Sequence, residues 1–355
     1  MQSPTYKQIL PYIEKGLVKE RSHPCNPAIK IFCYTEECVY SKAWDDITLE
    51  CRGLILNTLT DEVMARPFRK FFNWGELSED EQSLLSKDKH YSVEEKLDGS
   101  LGILYWYNDK PCIATKGSFD SDQSVWATEW FRQNINYSYM PGRTELFEII
   151  YPENRIVVNY PESGLSHLAT IQKDTGNTVI SEPIVGCKTR ALCDVLPIDA
   201  LCKQDKDNAE GYVLYFHETG TRVKVKFPNY VEKHMHVTGL STKMIWRAMC
   251  KYDGELMNVR VVDILHDIPD ELHDWADSVV KDICMDYYVV LKTVISELAP
   301  HEKVMATKSR KDIAEVVMST TYPGLGFMWV DLKAKQLDKQ IMRTIEPHGS
   351  KTFKY

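Results

Sequence analysis

Lys96-Leu97-Asp98-Gly99-Ser100 sets a lysine, an acid and a glycine between two β-leaning runs, Tyr91-Ser92-Val93 and Leu101 to Trp106. A lysine at a strand end can act as a covalent nucleophile once it sheds its proton, and an adjacent glycine lets a phosphate approach the main chain. A free lysine has a pKa of about 10.4, so attack at neutral pH needs nearby cations or burial to lower it. Lys224 and Lys226 supply such cations. They stand two apart in Arg222-Val223-Lys224-Val225-Lys226, so on a strand both project from one face. Two like charges side by side are unfavourable unless an anion lies between them. A triphosphate is such an anion; a solvated outer face is the plainer alternative. Glu148 and Glu210 sit in the apolar contexts Leu-Phe-Glu-Ile-Ile and Ala-Glu-Gly-Tyr-Val. Buried acids need a cation or donors, and either Mg²⁺ or a structural ion pair would serve. The pentapeptide itself also reads as an ordinary hairpin turn built on Asp-Gly.

The elements that position these groups are mostly strands. Gly53–Leu56, Leu101–Tyr107, Arg155–Val158, Gly211–Phe216 and Arg222–Lys226 are β-branched or aromatic runs. Between them lie turn signals such as Asn108-Asp109-Lys110-Pro111 and Glu218-Thr219-Gly220. Helices are expected over Tyr6–Leu17 and Ser124–Gln133. This predicts an α+β domain with antiparallel sheets over residues 1–240. Beyond it, Val279, Val280, Ile283, Tyr287, Val290, Leu291, Val294 and Leu298 recur at helical spacing. Further helices are expected over Ser309–Met318 and Asp331–Ile345, with Pro300 and Tyr322-Pro323-Gly324-Leu325-Gly326 as breaks. Residues 241–355 therefore read as an all-α C-terminal domain.

Composition narrows the class. At 355 residues, 43% hydrophobic and 26% charged, the chain has the make-up of a soluble globular protein with room for two domains. No apolar run is long enough for a membrane span and no signal-peptide layout opens the chain, so a cytoplasmic protein with no membrane partner is expected. Ten scattered cysteines without a C-x-x-C pair point to reduced thiols. The formal net charge of −8 argues against coating a nucleic acid by bulk electrostatics and favours focused basic sites. One such stretch runs from Arg222 to His236, with Lys224, Lys226, Lys233 and His234 against a single acid, Glu232.

Seven segments occur in a fixed order. They are Glu50-Cys51-Arg52-Gly53, Arg66 to Asn73, the Lys96 pentapeptide, Thr115-Lys116-Gly117-Ser118, Glu145 to Ile150, Glu210 to Val213 and Val223 to Phe227. The set resembles the covalent nucleotidyltransferase superfamily of polynucleotide ligases and capping enzymes. Within it the chain is most similar to the bacteriophage RNA ligase 1 (tRNA-repair) family, over residues 30 to 235. Two departures remain: His167 to Lys173 lacks the arginine such ligases often carry, and the C-terminal part has no motif that aligns.

The resemblance implies an ATP-dependent RNA ligase. Lys96 would take AMP from ATP, AMP would pass to an RNA 5′-phosphate, and a 3′-hydroxyl would then expel it. It further implies that Lys224 and Lys226 assist catalysis, and that Arg52 and Lys70 hold the β- and γ-phosphates. Phe72 and Phe147 would stack on adenine or pack in the core. Glu95, Gly99, Ser100 and Lys116 would contact the nucleotide, with Lys116 alternatively on the 5′-phosphate. Glu148 would lie near the ribose or the metal, Glu210 on the water shell of that Mg²⁺ (or Mn²⁺), and Asp98 would hold either the turn or a metal-bound water. The expected partner is RNA with 5′-phosphate and 3′-hydroxyl ends, such as a cleaved tRNA, with an end-healing kinase/phosphatase acting alongside a monomeric ligase in a host cytoplasm. Lys303, Lys308, Arg310 and Lys311 are candidate RNA contacts in the helical part. An mRNA-capping guanylyltransferase and a non-catalytic RNA-binding protein on the same fold are the alternatives. A capping enzyme would append a strand-rich OB-fold where this chain predicts helices.

Overall fold

The computed structural model describes residues 2–238, 240–265, 268, 272–301, 309–331 and 334–347. The chain forms two compact units, Met1–Val237 and Thr238–Tyr355. In the first, β1 (Val18–His23), β2 (Asn26–Tyr34), β3 (Arg52–Asn57) and β4 (Glu62–Ala65) make an antiparallel sheet in that order. β5 (Phe72–Asn73) and β6 (Tyr91–Lys96) belong to another sheet. Next come β7 (Ser100–Tyr107), β8 (Lys110–Ala114), β9 (Arg143–Ile150), β10 (Gly164–Gln172), β11 (Thr178–Val179) and β12 (Lys188–Thr189). They form a sheet ordered β11-β10-β9-β7-β8, with β12 on β10. β13 (Leu192–Cys193), β14 (Gly211–Phe216) and β15 (Arg222–Lys226) complete the sheet β13-β6-β14-β15-β5. Pairing is antiparallel except for β5 on β15 and β12 on β10, which bears out the α+β expectation.

Alternation builds the layers. The Ile29, Ile31 and Ile55 face of the first sheet packs against Ile103, Tyr105 and Leu146 of the second. The opposite face of the first sheet, with Phe32, Leu54 and Leu56, is closed by Ile9 of the helix Tyr6–Glu14. The helix Asp122–Asn134 closes the outer face of the second sheet by seating Ala127 and Phe131 on Leu104, Phe147 and Ile149. Each fully buried Ile, Leu or Phe contributes roughly 1.5–3 kcal/mol. A buried ion pair braces the first sheet: Glu50 accepts from Arg66 Nε and Nη2, both at 2.9 Å. Arg66 Nη1 donates to the carbonyls of Lys173 and Asp174. Gly176, at φ +74°, is required there, since a Cβ would lie 2.8 Å from Arg66 Cζ.

Two local expectations fail. Arg155–Val158 is a loop and not a strand, because the N–H groups of Val157 and Val158 donate to the Asp98 carboxylate instead of a ladder. Tyr322 to Gly326 punctuates the helices only at its start: after Met318 the chain leaves the helix, but Pro323–Val330 is itself a helix with proline in its first turn, where no N–H is needed. Gly326 lets that helix pack closely on Val317 and Leu298.

The regular elements among the second unit's described residues are all helices, the longest being His273–Leu298. That helix buries Val279, Val280, Ile283, Tyr287, Val290, Val294 and Leu298. Ser309 caps Arg310–Met318, and Ala334–Thr344 follows. Lys303 and Lys308 lie outside the described residues; Arg310 and Lys311 are exposed. No described helix is long and apolar enough to cross a membrane.

Candidate active site

The Lys96 pentapeptide is not a hairpin. β6, which ends on Lys96, pairs with β13 and β14, whereas β7, which begins at Ser100, pairs with β8 and β9. The turn therefore carries the chain from one sheet to another, and a cleft opens where the two sheets part. Its volume is about 200 Å³. Strand register explains its walls. Lys96, Gly211 and Lys226 are paired across β6, β14 and β15, and Glu94, Val213 and Lys224 form the next row on the same face.

Gly211 permits this geometry. It adopts φ +149°, and a Cβ would lie 2.1 Å from the Val225 carbonyl oxygen. The preceding Glu210 is thereby brought between the lysines, with Oε2 2.7 Å from Lys96 Nζ and Oε1 3.4 Å from Lys226 Nζ. All three side chains are largely buried. The acid thus offsets the repulsion expected of clustered ammonium groups.

Glu148 enters from β9 on the facing sheet. Gly99 lets the turn meet that strand: a Cβ there would stand 2.5 Å from the Ile149 carbonyl oxygen and 3.3 Å from Glu148 Oε1. The glycine anticipated as room for a nucleotide is therefore needed first for strand packing. Glu148 makes no hydrogen bond or ion pair among the described residues. Burial pushes its carboxyl up to about 8, with Glu210 and Asp98 raising it further and Lys96 and Arg52 opposing. A carboxyl held in that way favours a cation beside it, so a divalent metal fits Glu148 and adjacent Glu210.

Arg52 lines the cleft from β3, its guanidinium 5.3 Å from the Phe71 ring and its buried Nη1 without a hydrogen-bond partner among the described residues. Lys224 Nζ lies 5.4 Å from the same ring. Glu95 borders the cleft, but alternation gives its side chain the sheet face opposite Lys96.

The remaining expected residues lie elsewhere. Lys70 is boxed by Tyr34, Trp44 and Phe72, 5.4–5.5 Å from each ring centroid, away from the cleft lining. Phe72 also packs edge-on against Trp44, which favours packing over stacking on a base. Phe147 is fully buried between Phe131 and His167, so the core reading holds and the adenine reading does not. Lys116 is exposed, 5.0 Å from the Tyr34 ring. Ser100 Oγ donates to Asn154 Oδ1 at 2.9 Å.

Asp98 corrects the tentative metal role. Its Oδ2 accepts from the N–H groups of Val157 (2.8 Å) and Val158 (2.7 Å), and its Oδ1 accepts from the Tyr230 hydroxyl (2.7 Å). Its own N–H donates to the Tyr160 hydroxyl at 2.7 Å. A buried carboxylate so engaged holds the Lys96 turn to the 157–160 loop and to the helix Pro228–Thr238.

Several cleft residues had no role of their own in the sequence reading, where Arg222 stood only at the head of the basic stretch. Arg190 pairs with Glu94 at 2.7 Å. Arg222 is sandwiched by Phe68 and Tyr215 at 4.2 and 4.3 Å and hydrogen-bonded to Thr178; burial lowers it to about 10, still cationic at neutral pH. Leu168 reaches the cleft because β10 bulges between His167 and Ala169. With Leu101 and Val213 it gives the cleft apolar walls from both sheets. Alternation around Glu94 and Arg222 was the available signal for two of these; Arg190 and Leu168 had none.

A family profile described as RNA ligase matches residues 50–231. Among relatives, a protein of Thermovibrio ammonificans described as an RNA ligase is 29% identical over 208 residues, 54% of either chain. A protein of Autographa californica nuclear polyhedrosis virus, described as a bifunctional polynucleotide kinase/RNA ligase, is 27% identical over 53% of this chain and 31% of its own. An RNA ligase of Rhodothermus phage RM378 is 27% identical over 59% of this chain and 50% of its own. The chain thus spans from about a third to about half the length of the curated relatives it matches.

Proposed function

The chain belongs to this RNA ligase family, and on that premise we propose that it joins RNA 5′-phosphate and 3′-hydroxyl ends at the expense of ATP, with Lys96 as the nucleophile. The observation that carries the reading is the row Lys96, Gly211, Lys226 with Glu210 bridging the two ammonium groups. A flat base enters between the apolar walls of Leu101, Leu168 and Val213, and the triphosphate meets Arg52, Lys224 and Lys226.

A proton passes from Lys96 Nζ to water in the open cleft, and the free amine attacks the α-phosphorus. The N–P bond forms, the bond to the β-phosphate oxygen breaks, and pyrophosphate leaves. Lys226 and Arg52 stabilise the charge that develops on the phosphate oxygens. Glu210 holds Nζ in position until the substrate's anionic charge competes for the cations around it. Glu148 and Glu210 are the residues that would hold Mg²⁺, whose chemistry is to neutralise the phosphates and orient the leaving group. Transfer of AMP to an RNA 5′-phosphate and displacement by a 3′-hydroxyl need the same cationic cradle, so one cleft serves all three steps. Repair of cleaved tRNA in a host cytoplasm, beside an end-healing kinase, is the biological setting that this reading favours. The viral relative, whose description joins a kinase to a ligase, supports that pairing.

The test is incubation with α-labelled ATP or GTP and Mg²⁺, followed by denaturing electrophoresis. Label from ATP retained by the protein and lost in Lys96→Ala is expected. Label from GTP alone would transfer the reading to capping, and label from neither would end it.

A further inference from the structure

We infer that the edge of the first sheet carries a groove for the phosphate backbone of the 5′-phosphorylated RNA strand, running from the catalytic cleft past Lys116 to Lys19 and Arg21. This rests on the ligase reading and extends it from the nucleotide to the polymer. The register places the groove. Lys19 on β1 is paired with Cys33 on β2, and Cys33 with Arg52 on β3, so Lys19 and the cleft residue Arg52 lie in one row. Two strand spacings put their backbones roughly 10 Å apart. Arg21 follows Lys19 on the same face, roughly 6.6 Å further along the strand and opposite Ile31. Between this face and the 116–118 segment lies a cavity of about 270 Å³, lined by Lys19, Glu20, Arg21, Ile31, Cys33 and Gly117.

The groove and the cleft share no lining residue and are neighbours through Arg52–Gly53 on one side and Lys116–Gly117 on the other. Gly53, next to Arg52 and at φ +101°, brings the Lys116 main chain so close that a Cβ would lie 3.2 Å from its carbonyl oxygen. Its wall is fixed: Arg21 Nη1 donates to Ser118 Oγ at 2.6 Å and to Asp120 at 3.3 Å. Its charge is positive. Lys19 is exposed and has no ion-pair partner among the described residues, whereas the two acids at the wall, Glu20 and Asp120, are paired with Lys30 and Arg21. Cations at strand spacing in a row that leads to Arg52 of the cleft suit successive phosphates of one extended strand. Gly117 leaves open space where a side chain would intrude.

The competing account is protection of an edge strand, for which inward-facing lysines are a common device. Lys19→Ala and Arg21→Gln in the full chain separate the two. Enzyme–AMP formation, which needs no RNA, should match wild type. AMP transfer in a single turnover to a 5′-phosphorylated ten-nucleotide RNA should fall about five- to tenfold in Lys19→Ala. Transfer to a nucleoside 3′,5′-bisphosphate should not change. Fluorescence anisotropy of the labelled oligonucleotide against salt should show a log–log slope shallower by about 0.7 for each phosphate no longer neutralised, and Lys19→Arg should restore it. Wild-type transfer and an unchanged salt slope in both variants would overturn the groove and leave edge protection. An equal loss on the bisphosphate would overturn it too, by placing the defect in the cleft. Failure of the wild type to form enzyme–AMP would count against the ligase reading instead, and the anisotropy series would still decide the groove.

Discussion

Replacing Glu148 by glutamine keeps the shape of the side chain and removes its charge, so its effect should depend on pH in a defined way. The Glu148 carboxyl stands at about 8 in the folded protein against an ordinary 4.5, chiefly through burial. Below pH 4.5 it is protonated in folded and unfolded chains alike and contributes no difference. Between 4.5 and 8 the unfolded chain ionises where the folded one does not, so the wild type loses stability as pH rises through this window. Above 8 the loss is complete. The gap, at about 1.4 kcal/mol per pH unit, bounds the effect near 5 kcal/mol. The cleft is open to water, so about 1–3 kcal/mol is expected. Thermal unfolding from pH 5 to pH 9 should show Glu148→Gln level with wild type at the acid end and several degrees more stable at the alkaline end. The same carboxyl is only about one-tenth ionised at pH 7, so Mg²⁺ should bind about tenfold tighter for each pH unit gained below 8 and release a proton as it binds. Calorimetric titration in two buffers of different protonation enthalpy measures that proton. Parallel melting profiles and no proton release would refute this account of Glu148.

Asp98→Ala should destabilise the first unit by about 2–4 kcal/mol, because two buried N–H donors lose their acceptor; Asp98→Asn should recover most of this, and its Mg²⁺ titration should match wild type. Gly211→Ala should lower the melting temperature by roughly 6–12 °C and abolish nucleotide labelling, since its Cβ would collide with the Val225 carbonyl. Gly220→Ala, also at positive φ but with open space around it, should cost only about 1 kcal/mol. Glu50→Ala should cost about 3–5 kcal/mol by stranding the buried Arg66 charge, measured by denaturant unfolding.

Much of the site was legible because its parts are local. Lys224 and Lys226 share a face by strand alternation alone, and Glu-Gly at 210–211 marks a point where only glycine fits the backbone. The helix His273–Leu298 follows from its 3.6-residue period. What sequence could not distinguish was which apolar or charged neighbour faces the cleft. Phe147 and Glu148 are adjacent on β9, and only the sheet's packing turns the phenylalanine into the core and the acid into the cleft. Lys70 and Arg52 carry the same charge in similar surroundings, yet three rings enclose one while the other borders open space.

The Lys96 pentapeptide shows where the division falls. Its residue types determined the available chemistry: an amine that can attack, and a glycine that gives no steric obstruction. The flanking runs determined that strands enter and leave it. That those strands join different sheets was decided by pairing partners more than a hundred residues downstream on one side and about fifty on the other. Asp98 reads from sequence as a turn residue or a metal ligand. It became a staple because Val157, Val158 and Tyr230 converge on it in space. Short-range sterics and alternation are written in consecutive residues. The choice among equivalent partners is a property of the packed chain, where burial and satisfied hydrogen bonds select one arrangement.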